Sequence, residues 1–107
     1  MDKQQFVNHG MHHFAEQNYD RAVFYFRKAL DCDNCFETAY RALCESLNRL
    51  DRIDEAFEVI QHWLKVNDQN PQAHLILSKL LAQKGHKLDA NQAMKTYLEL
   101  KNRVNQS

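Results

Sequence analysis

His9 and His13 stand four residues apart, so on a helix both imidazoles can face one divalent metal ion. Cys32-Asp-Asn-Cys35 has the two-residue gap common in zinc and dithiol sites. A closed structural zinc site takes four ligands, however, and there is no second Cys-x-x-Cys, since Cys44 is the only other cysteine. The repeat register set out below places these groups apart, so no metal site and no cofactor is expected. A nucleophilic centre would need Ser or Cys beside a base and an orienting group, and a two-carboxylate hydrolase would need its pair across a cleft. His62, His74 and His86 are scattered through the register, and Gly10 and Gly85 belong to no phosphate-cradling loop. The chain is therefore read as having no catalytic residues.

The elements that carry these residues follow from composition and period. Of 107 residues, 44% are hydrophobic and 26% charged, with only two Gly and one Pro, which predicts one small, all-helical domain. Fourteen basic and fourteen acidic side chains cancel, so charge points to neither nucleic acid nor anionic lipid. No apolar run approaches the roughly 20 residues of a membrane span. The N-terminus has neither the basic lead nor the apolar core of a signal peptide. A cytoplasmic location with free thiols is expected, because three cysteines do not make a disulfide framework.

An offset of 34 residues superposes the chain on itself three times. Ala22, Ala56 and Ala90 align; twelve residues upstream stand Gly10, Cys44 and Ser78, all small; four downstream stand Phe26, Ile60 and Met94, all large and apolar. Size is what repeats, which marks packing: two helices approach closely where small residues meet. Mixed columns are Phe6/Tyr40/His74, His9/Leu43/Leu77 and His13/Leu47/Leu81. Local signals place helices at about 3–16, 20–32, 36–49, 54–66, 71–84 and 88–103. Asp2 with Gln5, and Asn34 with Glu37, have capping-box spacing. Asn70-Pro71 is a start signal, and Asp20 and Asp54 are candidate caps.

These columns resemble the tetratricopeptide repeat (TPR) family, whose pattern W-x2-L-G-x2-Y, A-x3-F, P runs over 34 residues. GMHHFAEQNYDRAVFYFRKAL, residues 10–30, is most similar to it. The resemblance covers 3–36, 37–70 and 71–104 as three repeats of one domain, 1–107. It departs in having no opening Trp, in Asn34 and Asp68 where the closing Pro belongs, and in the two histidines of the first repeat. It implies an all-α fold, a right-handed α-solenoid of three TPR hairpins made of six antiparallel helices. It also implies a protein-interaction adaptor whose partner, another protein or peptide, binds in a concave groove.

By that resemblance the first helix of each hairpin lines the groove. The first repeat then contributes Gln4, Val7, Met11 and Phe14; the second Thr38, Arg41, Glu45, Asn48 and Arg49; the third Gln72, Leu75, Lys79, Ala82 and Gln83. Met11 and Phe14 suit apolar anchors, and Arg41, Arg49 and Lys79 suit carboxylates. One TPR subclass clamps acidic chaperone tails with Lys, Asn, Asn, Lys and Arg. Here those positions hold Val7, Met11, Ala42, Gln72 and Ile76, so that role is not expected. The column Ala29/Trp63/Tyr97 faces the following repeat in the family, which leaves Tyr97 without cover, beside Met94, Leu98, Leu100 and Val104. Phe24 falls on the outward side of its helix. Met94, Tyr97, Leu98, Val104 and Phe24 are accordingly the candidates for self-association as a homodimer. Cys32 is assigned to a buried apolar column with Val66. A secretion-type chaperone holding an exported subunit and a structural oligomerisation scaffold are the alternative roles.

Overall fold

The computed structural model describes residues 1–106. Six helices follow in order: α1 (Lys3–Ala15), α2 (Tyr19–Cys32), α3 (Glu37–Arg49), α4 (Ile53–Val66), α5 (Pro71–Gln83) and α6 (Lys87–Gln106). No strand occurs among the described residues. None of these helices is long and apolar enough to cross a membrane. The expected bounds hold to within one residue except at the end of α6, which runs three residues further. The chain divides into two compact units, Met1–Val59 and the residues from Ile60 onward.

In the first unit α1 packs on α2, α2 on α3, and α1 also touches α3. Val7, Ala22, Val23, Phe26, Ala29, Ala39, Leu43, Leu47 and Ala56 are buried there. In the second unit α5 packs on α6, with Trp63, Ala73, Ile76, Leu80, Ala90, Ala93 and Leu100 buried. The small-residue column is where backbones meet. The Cys44 thiol donates to the Ala56 carbonyl at 3.9 Å, and the Ser78 hydroxyl donates to the Ala90 carbonyl at 3.0 Å. Gly10 leaves the space that the Phe26 ring fills: a Cβ there would lie 2.7 Å from Cδ1 and 2.9 Å from Cζ, and would press hardest on Cε1.

The 34-residue period is also written in the turns. Gln17, Asp51 and Gly85 all adopt left-handed backbone, with φ of 63°, 59° and 85°. Each is the C′ residue of a Schellman motif, in which two backbone N–H groups cap the last carbonyls of the helix. Gln17 N–H donates to Phe14 O and Asn18 N–H to His13 O. Asp51 and Arg52 repeat this on Asn48 and Leu47, and Gly85 and His86 on Ala82 and Leu81. The residue that closes each motif then opens the next helix, because the carbonyls of Asn18, Arg52 and His86 accept from the amides of Ala22, Ala56 and Ala90.

Three expected caps are corrected, two of them by that economy. Helix α2 begins at Tyr19 behind Asn18, so Asp20 lies inside the first turn, as Asp54 does in α4. There a carboxylate complements the positive end of the helix dipole rather than capping it. Helix α3 likewise starts behind Phe36, not behind Asn34. Asp33 takes the turn instead, accepting the Cys35 N–H at 3.0 Å and the Lys3 ammonium at 2.6 Å. The Tyr40 hydroxyl ties down the Asn34 carbonyl at 2.8 Å. The other start signals form as expected: Asp2 and Gln5 make a reciprocal capping box, and Asn70 accepts the Gln72 N–H ahead of Pro71.

Candidate protein-binding site

Helical spacing in the first unit builds a recess between two helices. Met11 and Phe14 stand one turn apart on α1, and Thr38, Arg41, Ala42 and Glu45 fall at i, i+3, i+4 and i+7 on α3. These six residues line a hollow of about 370 Å³. Met11 is 48% exposed, while Phe14, Ala42 and Glu45 are half-buried. Burying a thioether or phenyl face removes apolar surface from water at about 25 cal/mol per Å², so the floor favours an apolar group. The rim carries both signs of charge.

Five of the residues read as groove positions thus meet: Met11, Phe14, Thr38, Arg41 and Glu45. Arg49 joins them indirectly. Its guanidinium lies 5.7 Å from the Phe14 ring centroid and 5.9 Å from that of Tyr19, and the two rings meet edge to face at 5.2 Å. Val7 does not reach the recess surface; at 3% exposure it belongs to the core. Asn48 is half-buried on α3. Leu75 and Lys79 lie on α5 in the second unit, the first half-buried and the second exposed. Sequence reasoning missed Ala42 as a lining residue and Tyr19 as the second support of Arg49. Ala42 was legible as the i+4 neighbour of Thr38, whereas nothing in the spacing flags Tyr19.

The remaining candidates disperse. His9 and His13 both stack on Tyr25, with centroids at 5.3 and 5.4 Å and planes inclined by 22° and 9°. Phe6 and Phe24 add two more rings to Tyr25, which makes this edge more aromatic than its histidines suggest. Cys32 and Cys35 are exposed at the α2–α3 turn, and Val66 is exposed as well, so the expected burial of Cys32 with Val66 does not occur. Cys32 closes α2, and the chain leaves the helix there instead of continuing a packed face. Cys44 is buried, and that burial, with the Glu45 carboxylate beside it, pushes its thiol up to about 12. Among the described residues no three His, Cys, Asp or Glu side chains come together as a metal ion requires.

On α6, Met94 and Tyr97 are half-buried, and Leu98 and Val104 are 49% and 60% exposed. Lys101 sits 5.7 Å over the Tyr97 ring. Leu100 turns inward and is buried, so it leaves the expected apolar flank. Phe24 is exposed, with Lys28 over its ring.

The tetratricopeptide repeat family model matches residues 13–83, two thirds of the chain. The chain belongs to the tetratricopeptide repeat family. Its six helices and helix hairpins agree with solved TPR structures. A crystal structure of MamA superposes with a TM-score of 0.92 at 16% identity, covering 99% of this chain and 62% of MamA. The type III secretion translocator chaperone SycD of Yersinia enterocolitica gives 0.86 at 16%, covering 92% of this chain and 74% of SycD. The first TPR of Spaghetti, bound to the HSP90 peptide SRMEEVD, gives 0.88 at 17%, covering 94% and 80%. Identities this low establish the fold, an all-α solenoid of TPR helix hairpins. No curated protein sequence matches the chain significantly.

Proposed function

We propose that this chain is a protein-interaction module that takes up a segment of another protein in the recess between α1 and α3. The observation that carries the reading is the apolar floor of Met11, Phe14 and Ala42, open to solvent beneath the charged rim of Arg41 and Glu45. A rigid helical frame holds these side chains in place before a ligand arrives, which lowers the entropy lost on binding. Related folds support the reading: Spaghetti's first TPR is bound to an HSP90 peptide and SycD is a translocator chaperone. A TPR scaffold is reused for unrelated tasks, so the reading rests on the recess rather than on those names. The TPR fold is typically a non-catalytic interaction module, and the role proposed is binding, in the cytoplasm. Selection of ligands from a displayed peptide library, followed by titration against Met11→Glu, tests it. A charge on the apolar floor is expected to weaken selected ligands at least tenfold with the helical circular dichroism unchanged; unchanged affinity would remove the recess from the reading.

A second reading is favoured by the exposure of Leu98 and Val104 on α6. In it the same chain also associates with a second copy through Met94, Tyr97, Leu98 and Val104, with Phe24 as a separate contact. Singly exposed apolar residues are common, so this reading depends on their sharing one helix.

A further inference from the structure

Resting on the recess as the binding site, we infer that its ligand is an internal, extended segment in which one apolar side chain is flanked two residues away on each side by carboxylates. The first argument is charge. Three cations of the first unit hold ion pairs, Lys3 with Asp33 at 2.6 Å, Arg27 with Glu55 at 3.3 Å, and Arg52 with Glu55 at 2.6 Å, while Arg21 and Lys28 lie on α2, away from the recess between α1 and α3. Arg41 and Arg49, among the described residues, have no carboxylate within 4.0 Å, although Glu45 stands one turn from each. Arg49 is also oriented. Phe14 and Tyr19 engage its guanidinium, which leaves N–H donors for a planar, two-oxygen acceptor.

The second argument is spacing. Arg41 and Arg49 are eight residues apart on α3, about 12 Å along the axis at 1.5 Å per residue. In an extended ligand, side chains at i−2, i and i+2 point the same way, and four residues at about 3.3 Å span about 13 Å. A ligand running along α3 therefore brings carboxylates to both arginines with the apolar side chain between them, over Met11, Phe14 and Ala42. Glu45 makes the order specific. Half-buried in the wall between the arginines, it disfavours a carboxylate in the hollow itself and leaves the acidic side chains to the rim. The ligand's own C-terminal carboxylate is not needed, because the floor of Met11, Phe14 and Ala42 offers it no donor and side-chain carboxylates reach both arginines.

The test uses the whole chain and amide-capped, fluorescein-labelled peptides read by anisotropy. The probe is GSEALAESG; its controls are GSQALAQSG, GSKALAKSG and GSEASAESG. The acidic peptide is expected to bind at least about fivefold tighter than the glutamine peptide, with the basic and serine peptides weaker still. Its advantage shrinks between about 50 and about 300 mM salt. Arg41→Gln with Arg49→Gln should erase the preference for acid over glutamine. Glu45→Gln should instead tighten the acidic peptide about two- to threefold, a gain that loss of a merely structural residue would not produce. If the glutamine peptide binds as tightly as the acidic one while Met11→Glu abolishes both, the acidic ligand class is wrong and the recess reading stands. If none of the four peptides binds, the inference also fails; the recess reading falls with it only when library-selected ligands are indifferent to Met11→Glu.

Discussion

Replacing Gly10 with alanine tests whether the small-residue column is packing or accident. Glycine inside a helix costs about 1 kcal/mol relative to alanine, so an unhindered Gly10→Ala would stabilise α1 by about that much. The structure opposes it. The new methyl would meet three atoms of the Phe26 ring, two of them at 2.7 and 2.9 Å, and Phe26 is fully buried with nowhere to withdraw. Overpacking of this kind costs about 1–3 kcal/mol, and contacts this short belong in the upper half of that range. The net expectation is a loss of about 1–2 kcal/mol, or about 4–12 °C in melting temperature for a chain of this size. Urea unfolding followed by circular dichroism measures it. Phe26→Ile supplies the control: isoleucine stands at the equivalent position 60, opposite the register of Cys44 rather than glycine. Phe26→Ile alone should open a cavity and destabilise, yet Gly10→Ala added to it should then be neutral or stabilising. A Gly10→Ala chain more stable than wild type, or losses that simply add, would refute the close approach of α1 and α2 at this point.

Three further outcomes follow from the same structure. Gln17 pays for a left-handed backbone that glycine adopts freely, so Gln17→Gly is expected to stabilise by about 0.5–1 kcal/mol and Gly85→Ala to destabilise by about 1 kcal/mol, both by urea melts; Gly85 has open space around it, so backbone alone decides. A thiol reagent at pH 8 should modify Cys32 and Cys35 rapidly and Cys44 only on unfolding, since burial holds that thiol protonated; three equally fast cysteines would contradict the packing of α3. Light scattering after size exclusion, across a wide concentration range, should show association that Tyr97→Glu and Leu98→Glu dissolve; a constant monomer mass in the wild type would end the self-association reading.

The fold was legible because it is written as a period. One alanine column and one small column, each repeated at 34, predicted where helices meet, and Cys44–Ala56 and Ser78–Ala90 meet there. The turns were less legible because their requirement is a backbone angle, which Gln17 and Asp51 accept against their preference and only Gly85 advertises. The caps failed where a turn residue serves two helices at once, an economy invisible in a search for isolated Ser, Thr, Asn or Asp. Cys32 was misplaced because its column was carried to the last residue of α2, where the chain leaves the helix. Of the site, Met11, Phe14, Thr38, Arg41 and Glu45 followed from the repeat register taken together with the family resemblance, which implies that first helices line the groove. The seat of Arg49 did not, since Tyr19 reaches it from the start of another helix.

On the proposed reading, fold and recognition use different columns of the same repeat, and that separation makes the recess tunable. At the 34-residue offset the columns that contain Arg41, Met11 with Glu45, and Arg49 do not keep their chemistry: Arg41 aligns with Val7 and Leu75, Met11 and Glu45 with Lys79, and Arg49 with Ala15 and Gln83. The columns that close the hairpins keep their size throughout, as Ala22, Ala56 and Ala90 do. Charge at Arg41 and Arg49 can therefore change without disturbing a buried contact, because both side chains are exposed and neither holds an ion pair among the described residues. Substitution there should alter which segment binds while leaving stability within about 0.5 kcal/mol. The one coupling expected between the two sets runs through Phe14, which floors the recess and also packs edge to face on Tyr19 at the first turn. Truncating Phe14 is accordingly the change that should cost both binding and stability, and it separates residues that choose the ligand from those that shape the hollow.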